Sequence, residues 1–453
     1  MKASLAPMFG IHSETIARTL EKLSRLNFRN PGGGHADGSK MDDWLDLSRE
    51  LLTRRETMNN RTRVFTFLIF LSGVFSANFA QAQSPPIVWE LPYSVDKRYN
   101  SVKFTADSSQ LVAGGELRVG YSRVLIKRFN ADTGAQIATT GINFWYGTNE
   151  IALSPDGQSI ITANQPQCNS TCQGGLIQYG AIQLDERAVP SGYAPNYTVD
   201  YSPDGQLIAL GGYYDLRLVR AGDFSIVRTM PGHYQNNNTG TLKARFSPDG
   251  KLLGTSGRDK FVKIWRVLDG ALLREINFDN TYEVDSAAFS PDGQFIAAAR
   301  TGIEAQIKVW RVSTGELVKT FDVSSVYTFT HFNKVVWTPD GRYVVAGISL
   351  NGSYGDSKIR FWNFQSGQLA QEFSTGRDGF VNDITFSPNG QRFAYAVGAQ
   401  VFVALNPFPG APFAGFRTFS DFDGDRKSDI SVYRDGTWYV QQSTAGFRGA
   451  QFG

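Results

Sequence analysis

Between residues 421 and 429 the chain reads DFDGDRKSD, which sets Asp421, Asp423, Asp425 and Asp429 at positions one, three, five and nine of the run. Calcium takes six to eight hard oxygens from a tightly folded loop, and this spacing supplies carboxylates together with the Lys427 backbone carbonyl at position seven. Position twelve is Val432, so the carboxylate that closes a helix–loop–helix calcium site is missing. Arg426 fills position six, where glycine makes the sharp turn, and brings a positive charge beside the cation. The competing reading is an acidic, solvated turn.

Other chemistry-bearing residues are few. The only cysteines, Cys168 and Cys172, are four residues apart. In an exported chain such a pair reads as a local disulfide, with two free thiols as the alternative. Two sulfur ligands with no histidine nearby argue against a metal site. Beyond residue 82 the histidines are His233 and His331, neither within a catalytic pattern of acids or nucleophiles. No glycine-rich phosphate loop is present.

Residues 59 to 82, NNRTRVFTFLIFLSGVFSANFAQA, run from two arginines through twelve mostly apolar residues to Ala80-Gln81-Ala82. That order is a secretory signal, and the apolar run is shorter than the roughly 20 residues of a membrane span. A buried helix or strand is the bland alternative. Translation is expected from Met58, with 1–57 a non-native N-terminal extension; a small cytoplasmic segment ahead of a signal anchor is the other reading. Cleavage after Ala82 removes 11 of the 45 basic and 8 of the 42 acidic residues, leaving 34 of each. The exported chain is then formally neutral, without the basic stripe of a nucleic-acid binder and with no stable membrane insertion. Its address is periplasm, cell surface or medium.

From residue 102 one pattern recurs seven times, as in VDYSPDGQLIALGG, ARFSPDGKLLGTS and AAFSPDGQFIAAA. Aligned on its proline, which is Ala106 in the first copy, it falls at 106, 155, 203, 248, 291, 339 and 388, spacings of 43 to 49 residues. Each copy reads as strand, tight turn and strand: proline fixes one φ and glycine accepts a positive one. A third strand follows, clearest where Trp265, Trp310 and Trp362 occupy equivalent places, and a fourth follows a glycine turn. Four strands at this period resemble the blades of the WD40 family over about 320 residues. The resemblance implies an all-β, seven-bladed propeller over 83–406. It also implies a structural role for His233, Asp259 and Trp265, which match the hydrogen-bonded network that buttresses such blades. No tryptophan here is followed by aspartate, and Gly232-His233 is the one surviving Gly-His pair.

A ring must close or leave strand edges exposed. After the last third strand, QVFVALN, the prolines of PFPGAPFAG suit a strand poorly, so IVWELPY at 87–93 is expected to complete the last blade. Residues 407–417 then read as a linker. The tail at 418–453 resembles one FG-GAP or VCBS-type unit, a short β unit whose metal ligands, carried over, are Asp421, Asp423, Asp425, Asp429 and the Lys427 carbonyl.

The proline turns and the fourth-strand turns leave one end of the ring, and the longer connections leave the other. Trp145, Tyr146, Tyr193, Tyr213, Tyr214, Tyr234, Tyr327 and Tyr354 fall in or beside those longer connections. Tyrosine among Asn, Ser and Gly is the composition of an adaptable recognition surface. The sequence therefore points to an exported, non-enzymatic scaffold that binds a protein or a glycan through this end. The alternative is an exported propeller enzyme, such as a lactonase-like hydrolase, with carboxylates converging at the ring's centre.

Overall fold

The structure, a computed structural model, describes residues 84–119, 121–140, 146–166, 175–187, 196–212, 215–235, 238–279, 281–303, 305–323, 330–350, 356–410, 430–434, 437–442 and 446–450. Among these there is no helix; the chain forms antiparallel sheets throughout. Seven sheets have four strands each; six are simple meanders from an innermost to an outermost strand, and the seventh takes its outermost strand from elsewhere in the chain. The innermost strands are Lys97–Phe104, Tyr146–Leu153, Asn196–Tyr201, Thr241–Phe246, Val284–Phe289, Thr330–Trp337 and Val381–Phe386.

The repeat explains each blade locally. In the third blade Ser202 donates from its hydroxyl to Asp204 at 2.5 Å and accepts from the Leu207 N–H at 2.8 Å. Asp204 accepts from the Gln206 N–H at 3.0 Å, while Gly205 sits at φ 72°. Side chains of the motif thus tie down the turn, and glycine takes the one position a Cβ would strain. The first blade replaces that glycine with Ser108, which still adopts φ 63°. A second recurring bond joins the two turns at this end, as between Val267 N–H and the Lys251 carbonyl or Val312 N–H and the Gln294 carbonyl, both 2.9 Å.

Each sheet is apolar on both faces, and alternate side chains enter different cores. Seven buried clusters result, one between each pair of neighbouring blades. One joins Tyr99, Leu111 and Phe129 of the first blade to Ala394, Val401 and Val403 of the seventh, so the ring is closed.

Closure comes from the N-terminal side, as the sequence pattern predicts. Ile87–Glu90 pairs antiparallel with Gln400–Leu405 as the outermost strand of the seventh blade. The indole of Trp89 donates to the Ala131 carbonyl at 2.9 Å and packs on Phe129. The strand is shorter than the 87–93 expected: Leu91 N–H still bonds to the Val401 carbonyl at 2.8 Å, but the next residue is Pro92, which has no N–H to donate. After the last strand the chain does not simply leave as a linker. Phe408 stacks on Tyr343 with ring centroids 4.3 Å apart, and Arg342 donates to the Phe408 carbonyl at 3.2 Å.

The C-terminal tail contains a separate three-stranded sheet, Ile430–Arg434, Thr437–Gln442 and Gly446–Ala450. Asp421, Asp423, Asp425, Lys427 and Asp429 lie outside the described residues, as do Cys168 and Cys172.

Candidate functional site

All seven innermost strands share an irregularity. The pairing with the second strand slips by one residue at Asn100, Asn149, Tyr197, Leu242, Asp285, Asn333 and Asn382. These positions are equivalent, each six residues before the motif's proline position. A bulge leaves one residue unpaired and re-aims its neighbours, so two consecutive side chains face the channel.

On six of the blades the first residue of the pair lines the channel mouth. Asn100, Asn149, Tyr197, Leu242, Asp285 and Asn382, together with Arg98, Glu116, Gly147 and Lys243, line an open cavity of about 400 Å³. It opens at the end where the connections between blades enter, which is the end opposite the Ser-Pro-Asp-Gly turns.

The second residue of each pair forms a ring below: Ser101, Glu150, Thr198, Lys243, Ser286, Lys334 and Asp383. Here the side chain of one blade captures the backbone of the next. Asp383 accepts from the Val102 N–H at 3.0 Å, Glu150 from Val199 at 3.4 Å, Thr198 from Ala244 at 3.2 Å and Ser286 from Val335 at 3.1 Å. Charges then cross the channel. Lys334 lies 3.1 Å from Asp383 and 3.7 Å from Glu150, while Glu150 also meets Lys243 at 3.3 Å and the Arg245 guanidinium. Lys103 reaches Asp383 at 3.1 Å, and the hydroxyls of Ser101 and Thr198 donate to Asp383 and Glu150 at 2.9 Å and 2.7 Å.

The electrostatics follow from burial and pairing. Burial opposes ionisation of Glu150, but Arg245, Lys243 and Lys334 hold its carboxyl well below the usual range. Asp383 is likewise held low, against burial, by Lys103 and Lys334. Burial pushes the Lys334 amine down to about 7 despite Asp383, and pushes the Asp285 carboxyl up to about 7. Burial also raises Asp200, with Arg245 opposing. Glu150 and Asp383 are thus acceptors engaged by the surrounding lysines and, for Glu150, by Arg245. Their network plugs the channel beneath the mouth and cross-links blades that are not neighbours.

Of the residues singled out from the sequence, three come together in the fourth blade. His233 Nδ1 is 2.6 Å from Asp259, its Nε2 is 2.7 Å from the Thr255 hydroxyl, and the Trp265 indole donates to that hydroxyl at 3.0 Å. Lys263 completes the group, 2.9 Å from Asp259 and donating to the Gly232 carbonyl at 3.0 Å. His233 is fully enclosed and its pKa is lowered, by burial against Asp259. This buried cluster fastens the loop ahead of the fourth blade to the middle of the sheet.

Three stretches, residues 224–266, 272–311 and 316–363, match the family model for the WD domain, G-beta repeat. The chain carries WD40 repeats. Those stretches cover parts of the third to sixth blades, including the WD40 blade that holds His233. Relatives include Protein tipD of Dictyostelium discoideum, 24% identical over 204 residues, which span 38% of this chain and 33% of that protein. WD repeat-containing protein SL1-17 of Schistosoma mansoni is 31% identical over 124 residues, 27% of this chain and 38% of that one. WD repeat and HMG-box DNA-binding protein 1 of Homo sapiens is 24% identical over 288 residues, 58% of this chain and 24% of that protein. The matched stretch is therefore less than two fifths of the length of these curated relatives.

Of the aromatic candidates, Trp145, Tyr193, Tyr213, Tyr214, Tyr327 and Tyr354 lie outside the described residues. The backbone of Tyr146 opens the second innermost strand and that of Tyr234 enters a short hairpin with Asn238–Thr239. The first segment opens an innermost strand and the second directly precedes one. The mouth and charged rings went unnoticed in the sequence, although a signal exists. Polar side chains recur five and six residues before the proline, in strands otherwise made of alternating apolar residues.

Proposed function

We propose that this protein is an exported, non-enzymatic WD40 scaffold that holds a protein or glycan partner at the mouth end of the ring. The observation that carries the reading is the mouth itself. A polar cavity, built from equivalent bulges on six blades, opens at the end where the longer tyrosine-bearing connections attach. A rigid closed ring that presents loops and a shaped opening is a scaffold for recognition. The engagement of Glu150 and Asp383 by cations argues against the lactonase-like reading, which needs carboxylates free to exchange protons or hold a metal. A partner without nucleic acid rests on the balance of charge alone; the DNA-binding named for the human relative belongs to that much longer protein.

Export rests on the pattern at 58–82, and the calcium reading on the four aspartates of 421–429 with the Lys427 carbonyl. The test immobilises the full chain and captures partners from surface and secreted extract, in calcium and in chelator, beside an Asn149→Arg variant that fills the mouth. Loss of the partner in the variant supports the reading, whereas capture indifferent to the variant removes the mouth from it. Calcium is expected to raise the melting temperature of the tail, an effect that Asp423→Asn with Asp425→Asn abolishes.

A further inference from the structure

The mouth is not uniformly polar. Its bulged residues differ systematically around the ring. On the side of the seventh and first blades lie Asn382, Asn100 and Arg98; on the opposite side, from the third and fourth blades, lie Tyr197 and Leu242.

The hydrogen-bonding capacity on the polar side is specific. Asn100 donates from its amide to the Thr148 carbonyl at 2.9 Å, and Asn382 donates to the Tyr99 carbonyl at 2.8 Å. Each is thereby fixed in orientation by the neighbouring blade, and each side-chain oxygen accepts from no described residue. The Arg98 guanidinium, half-buried opposite Glu116, donates no hydrogen bond to a described residue, while Arg118 donates to Glu116 at 2.7 Å. Asp285 accepts from the Thr301 N–H at 2.9 Å. The cavity thus offers the oriented asparagine oxygens as acceptors and the Arg98 guanidinium as a donor side by side.

That combination selects among ligand chemistries. A carboxylate only accepts, and would leave the asparagine oxygens unmet; an ammonium or guanidinium only donates, and would leave Arg98 without an acceptor. Buried polar groups left unmet cost affinity. Hydroxyl groups both donate and accept, and a ligand with a hydroxylated edge and a C–H face matches the polar and apolar sides at once. The cavity volume, about 400 Å³, lies within the roughly 300–1,000 Å³ of small-ligand sites. We infer that the channel mouth is a carbohydrate-binding site, with Asn100, Asn382 and Arg98 holding the hydroxyls of a sugar ring and Tyr197 with Leu242 covering its apolar face. This rests on the scaffold reading above and names the class of group that the mouth takes.

The experiment is saturation-transfer NMR on the full chain with D-galactose, D-mannose, N-acetylglucosamine and cellobiose, each at tens of millimolar, with titration of any sugar that responds. A saturable signal is expected from at least one of them. Arg98→Met removes a side chain that bonds to no described residue, so the fold should survive, and binding should weaken about tenfold, the equivalent of one good hydrogen bond. Leu242→Asn is the second variant, and should weaken binding without removing a hydroxyl contact. No signal from the panel, or binding unmoved by both variants, overturns the inference. Triglutamate and triarginine are run in parallel. If either binds at the mouth and no sugar does, the carbohydrate is excluded while the scaffold reading stands; partner capture indifferent to the mouth variants would overturn that reading instead.

Discussion

Asp383 shows how much a single side chain carries in this ring. It is fully enclosed and accepts from Ser101, the Val102 N–H and Lys103 while pairing with Lys334. Replacing it with asparagine leaves two ammonium groups short of a partner, so Asp383→Asn is expected to cost about 3–5 kcal/mol in urea unfolding. The folded pKa of Asp383 lies below its unfolded value. Its contribution is therefore present above the unfolded value near pH 4 and is lost as pH falls further. The acid limb of stability against pH should be flatter in Asp383→Asn than in the parent; equal limbs would remove this carboxylate from the acid response. Gly157 tests the turn instead. It sits at φ 68° with open space around its missing Cβ, so the penalty of Gly157→Ala is conformational alone, about 1 kcal/mol. A melting temperature equal to the parent's would refute that assignment.

Among the elements, the closing strand joins ends of the chain that are far apart in sequence. Trp89 holds it in place by a bond to Ala131 and by contact with Phe129, both in the first blade, although the strand itself belongs to the seventh sheet. Trp89→Ala should therefore loosen two blades at once. A cost of about 2 kcal/mol is expected, below that of a fully buried tryptophan because this one is only partly buried. Hydrogen exchange should quicken along Gln400–Leu405, which the strand covers, and rates unchanged there would argue that other contacts hold the seam. The position of this strand was legible in the sequence, since prolines follow the seventh third strand and an apolar run waits at 87. Its true end was decided by Pro92. The bulge on each innermost strand was not legible, because a one-residue slip changes no composition and shows only where two strands are paired.

For the whole molecule, seven similar cores between blades mean that each sheet depends on both neighbours. Phe361 is fully buried in the core between the sixth and seventh blades, with Phe373, Phe393, Phe386 and Phe408 around it. Phe361→Ala is expected to cost about 3–5 kcal/mol. In a closed ring that loss should lower the urea midpoint of a single transition and leave its slope unchanged, the mark of a cooperative unit. Two separated transitions would show blades that unfold on their own. The charged plug acts at this scale too, since Lys334, Arg245 and Lys243 converge on Glu150 from blades that are not its neighbours.

By itself the sequence determined the blade, its count and its turns. Proline, aspartate and glycine at fixed places act through local φ preferences and short-range hydrogen bonds, which need no distant partner. It also placed His233, Asp259 and Trp265 by their likeness to a known pattern. Only the tertiary structure decided where the polar residues of the innermost strands meet. Glu150 and Lys334 are 184 positions apart in the sequence, and nothing in either segment names the other. Closing the ring brings seven strands to one axis, and the shared bulge turns two residues of six of them toward it. There burial and mutual charge set which groups are locked in pairs, and which are left facing the mouth.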